Sequence, residues 1–301
     1  MLFKKIMVPL DGSVLSETAL EPALALAQVD RGEILLLSAF SPQESVDVAF
    51  YGLEVAPIPA DVAPLHERLN DYLDHLRSSR AGSGVPLRTL ALEGEAADCI
   101  VETAVSHQTD LIVMSTHGRS GASRLFLGSV TESVLQRAPC PVLAVRGQPI
   151  FRRLLITVNQ TMLSEQALDP GFAVAGCFGA QVHLLMVSPD GPVNPESAVE
   201  WDATADQQRG EEAFRHEEAY LEDLRDRYQM TQSVVTAVRG GKRESAIFSY
   251  ADVHEIDLIV MASRQRTGLR RWLFGNLSEK ALRQAPCSVM MIPPQPQTRE
   301  Y

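Results

Sequence analysis

The sequence predicts a duplicated α/β fold: two consecutive domains, each a parallel sheet flanked by helices. An internal repeat predicts the duplication. Residues 6–13 read IMVPLDGS and residues 154–161 read LLITVNQT. Asp110-Leu111-Ile112-Val113-Met114 returns as Asp257-Leu258-Ile259-Val260-Met261, and Ala138-Pro139-Cys140 returns as Ala285-Pro286-Cys287. The offset is 148 early and 147 late, so one net deletion separates the halves. A period this long marks two copies of a whole domain, not a solenoid. Within each half, short apolar runs alternate with helical spacing, the pattern of strand–helix units around a doubly buried parallel sheet. A length of 301 residues also suits two ordinary domains.

In the first half, Ile6–Leu10 reads as a strand ending at a turn. Leu20, Ala23, Leu24 and Ala27 follow helical spacing, and Ile34–Ala39 is apolar on both faces, as a central strand should be. The stretch from Pro42 to Pro64 reads as an irregular loop. Leu65, Leu69, Leu73 and Leu76 restore a helix, and Leu87–Leu92 is a third strand. Gly94 leads into a helix carrying Ile100 and Ala104 on one face. Leu111–Ser115 is a fourth strand, Gly128-Ser129 opens a helix, and Val142–Val145 is a fifth strand. The boundary falls at Gly147-Gln148-Pro149, which gives domains at 1–147 and 150–294 and a tail at 295–301.

With 27 Lys+Arg against 38 Asp+Glu, the net charge of −11 argues against nucleic acid and anionic membranes as partners. The N-terminal apolar stretch ends by Asp11, too short for a signal-peptide core, and no run approaches a membrane span; a cytoplasmic protein is expected. Cys99, Cys140, Cys177 and Cys287 form no CxxC pair and read as small buried hydrophobes.

In open parallel sheets, ligands bind beyond the carboxyl ends of the strands, where strand order reverses. That rule points to Pro9–Ser13, Ala39 and Ser115–Gly128. Gly118 follows the fourth strand and lets backbone approach a ligand; Gly128-Ser129 sits at a helix start, whose free N–H groups suit phosphate. Capping competes with that reading, because Ser129-x-x-Glu132 is a capping box, repeated as Asn276-x-x-Glu279. Asp11 has two readings as well: an acceptor for ribose hydroxyls, or a turn residue before Gly12-Ser13. His117 is a candidate base, but no nucleophile or second carboxylate partners it locally, which favours a turn histidine. No Walker loop, G-x-G-x-x-G after the first strand, zinc spacing or G-x-S-x-G elbow is present.

These segments resemble the universal stress protein family, in tandem and over nearly the whole chain. The family's nucleotide pattern is Gly, two residues, Gly, nine residues, Gly, then Ser or Thr. Here Ser115-Thr116-His117-Gly118, nine residues and Gly128-Ser129 match it, except that Ser115 replaces the first glycine. DLIVM, GRSG, GSVTE and APCPV also resemble the family consensus. The resemblance implies two Rossmann-like domains of the adenine nucleotide alpha hydrolase-like type, each with a five-stranded parallel sheet, forming a pseudo-dimer within one chain. It further implies ATP in the first half, with Mg or Mn. Pro9, Asp11 and Ala39 would contact adenine and ribose. Met114, Ser115, His117, Gly118, Gly128, Ser129, Val130 and Thr131 would surround the triphosphate.

The second half departs from the pattern. Asn159 stands for Asp11, Ala262 for Ser115, Gln265 for Gly118 and Asn276 for Ser129, while Gly275 is kept. Weak or absent ATP binding is expected there. Arg264, Arg266, Arg270 and Arg271 make that loop basic, which reads first as a solvated surface and alternatively as a site for another anion. The family places the fifth strand at the sheet edge. Its apolar residues in both halves, Val142–Val145 and Val289–Ile292, predict edge-to-edge pairing within the chain, with a homodimer left open. The expected role is a stress-response sensor or regulator that binds ATP, not an efficient enzyme. The alternatives are a slow ATPase and a ligand-independent interaction module.

Overall fold

A computed structural model describes residues 2–41, 63–116, 128–147, 149–188, 205–228, 233–263 and 284–294. They fall into two compact units, one within residues 1–149 and one within residues 150–301.

The first unit runs β1 (Lys5–Pro9), α1 (Val14–Glu17), α2 (Leu20–Asp30), β2 (Glu33–Phe40), α3 (Ala63–Ser79) and β3 (Leu87–Glu93). It continues through α4 (Ala96–Ser106), β4 (Leu111–Ser115), α5 (Ser129–Arg137) and β5 (Val142–Val145). Its strand order is β3-β2-β1-β4-β5, and the neighbouring strands are parallel. The chain steps outward from β1 to β3, then crosses back to β4, so the order reverses between β1 and β4. Right-handed crossovers then place the helices on both faces. Helix α3 packs on β3 and β2, and α4 packs on α5 and β2.

Burial explains the strands. Leu111, Ile112 and Val113 of β4 and all of β5 are buried, as doubly covered strands require. Helix α2 buries Leu20, Ala23, Leu24 and Ala27 on the predicted spacing, and α3 buries Leu65, Leu69, Leu73 and Leu76. Two local expectations are corrected. Residues 14–17 form a short helix that the reading did not separate. Pro64 lies inside the first turn of α3, where its missing N–H has no intrahelical acceptor to serve, and not in the preceding loop. The rest of the predicted loop, residues 42–62, lies outside the described residues.

The second unit repeats the plan with β6 (Arg153–Val158), α6 (Met162–Glu165), α7 (Leu168–Phe178), β7 (Gln181–Ser188) and α8 (Ala205–Arg227). It ends with β8 (Val234–Gly240), α9 (Arg243–Val253), β9 (Leu258–Ala262) and β10 (Ser288–Ile292). Its order, β8-β7-β6-β9-β10, matches the first copy strand for strand.

The aspartate that opens each DLIVM repeat has a structural task. Asp110 Oδ2 accepts from the backbone N–H groups of Lys4 (3.0 Å) and Lys5 (2.8 Å). Asp257 Oδ2 accepts from those of Arg152 (2.7 Å) and Arg153 (2.9 Å). Each carboxylate therefore fastens the entry of its copy's first strand to the entry of the fourth.

All four cysteines are free thiols, but only Cys99 and Cys140 are buried; Cys177 and Cys287 are half-buried, contrary to expectation. Burial, aided by the charge of Asp110, pushes the Cys140 thiol up to about 12, so it is protonated at neutral pH. Among the described residues, no helix is long and apolar enough to cross a membrane.

Candidate functional site at the strand-order reversal

Of the predicted residues, Pro9, Asp11, Ala39, Met114 and Ser115 lie at or just beyond the carboxyl ends of β1, β2 and β4. Pro9 closes β1 opposite Leu37 of β2. Ala39 lies two residues beyond Leu37 in β2, and Asp11 lies two residues beyond Pro9, past the end of β1. Met114 is buried in β4 opposite Ala144, and Ser115 closes that strand opposite Val145. Ser115 is extended, so serine carries no backbone strain at the position where the family pattern has glycine.

The turn after β1 is built by Asp11. Its Oδ1 accepts from the Ser13 N–H (3.0 Å) and the Ser13 hydroxyl (2.6 Å). Ser13 in turn caps α1, its Oγ accepting from the Ser16 N–H at 3.1 Å. Gly12 at φ +82° occupies the left-handed region that lets the chain reverse there. Asp11 thus shapes the turn. The second copy shows what the turn itself needs. Asn159 Oδ1 accepts from the Thr161 hydroxyl at 2.6 Å, and Thr161 caps α6. A neutral amide serves the same turn there, so this turn by itself does not require the negative charge of Asp11.

Beyond β4, the amino end of α5 is hung from the strand exit. The Gly128 N–H donates to the Thr116 carbonyl at 2.9 Å, and the Thr131 hydroxyl donates to the Ser115 carbonyl at 3.0 Å. The capping-box expectation is corrected here. The N-cap is Gly128, with extended φ −62° and ψ 142°, and Ser129 is the first helical residue. A residue inside the helix cannot use its side chain as the N-cap does. The first backbone bond of α5 runs from the Glu132 N–H to the Gly128 carbonyl at 2.9 Å. The N–H groups of Ser129, Val130 and Thr131 therefore have no acceptor within their own helix. Ser129 and Val130 are exposed. Three main-chain donors and a serine hydroxyl thus stand at the positive end of a nine-residue helix, beside the strand-order reversal.

His117 and Gly118 lie outside the described residues, as do Arg264, Gln265, Arg266, Arg270, Arg271, Gly275, Asn276 and Glu279 of the second copy. Two positioning residues escaped the sequence reading. Thr116 supplies the carbonyl that anchors Gly128, and Ser13 ties Asp11 to α1. The signal for Ser13 was present, since Asp-Gly-Ser after a strand is an Asx-turn sequence. Thr116 offered none, because its part is played by backbone.

A duplicated, doubly wound α/β protein is the class that this fold defines. The family model described as "Universal stress protein family" matches residues 2–146 and again residues 150–293. The chain belongs to the universal stress protein family.

Among curated relatives, a universal stress protein of Methanocaldococcus jannaschii is 35% identical over 48% of this chain and 83% of its own. A universal stress protein E homolog of Haemophilus influenzae is 25% identical over 98% of each chain. Among solved structures, a universal stress protein from Archaeoglobus fulgidus aligns over 97% of this chain and 99% of its own, at 19% identity and a TM-score of 0.66. A functionally unknown protein from Pseudomonas aeruginosa aligns over 97% and 93%, at 19% identity and a TM-score of 0.70. These structures share the tandem fold.

Proposed function

We propose that the first copy binds ATP and that the protein acts in the cytoplasm as a stress-response sensor or regulator, not as an efficient enzyme. The observation that carries this is the set of open N–H groups on Ser129, Val130 and Thr131, with Ser129 released from capping. Such donors hold an anion without a compensating positive charge, which a chain of net charge −11 needs for a polyphosphate. Asp11, with a charge its turn does not require, would accept from the ribose hydroxyls. Pro9, Ala39 and Met114 would line the base, and Gly128 would keep side-chain bulk away from the phosphates. Among the described residues, no cluster of three His, Cys, Asp or Glu side chains could hold a metal ion. Mg or Mn would arrive with the nucleotide and be held chiefly by its phosphates.

The second copy is read as weak or inactive towards ATP. Asn159 lacks the charge of Asp11, and Gln160 holds φ +58° where the first copy has Gly12. The test is a heat extract of purified protein assayed for adenine nucleotide, followed by calorimetry with Mg-ATP. One bound equivalent is expected. A nucleotide-free extract with no heat of binding would leave the interaction-module alternative. Pairing of the fifth strands belongs to the same proposal. Fast hydrogen exchange at the β5 amides that do not bond β4 would overturn it.

A further inference from the structure

At the amino end of its own strands, the second copy buries a cluster that the first copy lacks. His183, near the start of β7, is 4% exposed and packs against α9. Its Nδ1 lies 2.9 Å from the Tyr250 hydroxyl and its Nε2 lies 3.3 Å from Gln181 Oε1. An amide oxygen only accepts, so Nε2 carries the proton, and Nδ1 accepts from Tyr250. The imidazole is neutral with both nitrogens satisfied. The His254 ring, at the end of α9, lies 4.0 Å from the Tyr250 ring and 5.4 Å from that of His183. The Arg239 guanidinium lies 5.2 Å from the centre of the Tyr250 ring.

The corresponding residues of the first copy are Leu35, Thr103 and His107. There, Leu35, His107, Lys5 and Arg88 line an open cavity of about 260 Å³. The first copy has no imidazole in its β2 core at this level, and its histidine is exposed.

We propose that the His183–Tyr250–His254 cluster makes the second copy an acid-responsive unit, which opens on acidification while the first copy stays closed. The charged surroundings set the sign. Strand β6 brings Arg153, which pairs with Glu255 at 2.6 Å, and β8 brings Arg239. Helix α9 and the turn after it bring Tyr250, His254 and Glu255, with Asp257 bound to the β6 backbone. Helices α7 and α8, which also contact β7, carry Asp169, bonded to the Tyr228 hydroxyl, and the buried Glu217. The group at His183 Nε2 is a neutral amide, and the nearest charges acting on the ring are positive.

A proton on His183 would turn the Nδ1 acceptor into a donor facing a hydroxyl and would bury a cation beside His254 and Arg153. Burial first, then His254 and Arg153, hold this imidazole at about 4, below its usual 6.5. His254 is lowered too, by burial and then by Arg239 and Arg153. The folded value lies below the unfolded one. The stabilisation is therefore complete above about pH 6.5, is lost as the pH falls from there towards about 4, and falls no further below that.

The test uses the full chain. Hydrogen exchange is followed by mass spectrometry from pH 8 to pH 4 and corrected for intrinsic exchange rates, with β7 and α9 read against β2 and α4. The opening equilibrium of β7 and α9 should rise by up to about tenfold per pH unit between 6.5 and 4, with no matching rise in β2 and α4. His183→Leu, the residue of the first copy, should flatten that rise. Parallel loosening of both copies, or an unchanged slope in the variant, would overturn the proposal. Should the variant misfold, the wild-type chain still decides by NMR titration of its histidines. A His183 resonance titrating near 6.5 or above refutes the device, and one titrating near 4 upholds it.

Discussion

The two copies keep the same strands, order and staples, yet differ at both rims of the sheet. At the carboxyl rim, the first copy has Asp11 and Gly12 where the second has Asn159 and Gln160. At the amino rim, the first copy leaves a cavity beside Leu35, and the second fills that level with His183, Tyr250 and His254. Between the rims less changes, because most interior positions must still bury an apolar side chain. Duplication has thus left the sheet common and the rims free to specialise. In the proposed function the first copy holds a ligand, whereas the second carries titratable side chains in its own core.

The largest expected effect tests the carboxyl rim. Ser129→Pro removes one amide and the hydroxyl, yet proline suits the first helical position. Gly128 already has the extended conformation that a following proline demands. ATP affinity should fall about 10- to 100-fold by calorimetry, the loss of about 1.5–3 kcal/mol expected for hydrogen bonds to a charged group, with stability kept. Unchanged affinity would break the functional half of the comparison.

Next come the staples. Asp110→Ala and Asp257→Ala should each cost about 2 kcal/mol in urea unfolding, with the loss confined to the copy that carries the change. A loss for one and not the other would show that the common framework is less common than its geometry.

Asp11→Asn isolates the charge from the turn. Stability should move by less than about 0.5 kcal/mol, as Asn159 foretells, while ATP affinity drops several-fold, about 1 kcal/mol. The reverse change, Asn159→Asp, should add no second binding event. The smallest effect is at Arg31, which ends α2 at φ +50° where Gly179 ends α7 at φ +61°. Arg31→Gly should raise the thermal midpoint slightly, by less than about 1 kcal/mol of stability.

Much of the fold was legible in the sequence. β4 and β5 were placed to the residue, because unbroken apolar runs bounded by polar or proline residues leave a buried strand little room to slide. Helix α1 was not legible, since four residues are too few to show a period. Pro64 misled because proline marks a loop and a first helical turn equally well. At α5, the adjacent Gly128 and Ser129 both suit an N-cap, and only the backbone angles choose between them. The Asp110 staple and the His183–Tyr250 contact were invisible for another reason. Their partners lie more than 60 residues away in the chain, and only the strand order brings them together.

The two bonds that hang α5 from the exit of β4 have a practical consequence. They bring residues 116 and 128 within hydrogen-bond reach, so the ends of the intervening stretch are closed by the framework on either side. Chain added between them meets a closure entropy that grows only logarithmically, about 0.6 kcal/mol for each doubling of length. A peptide spliced between residues 118 and 128 should therefore leave the sheet's melting behaviour nearly untouched.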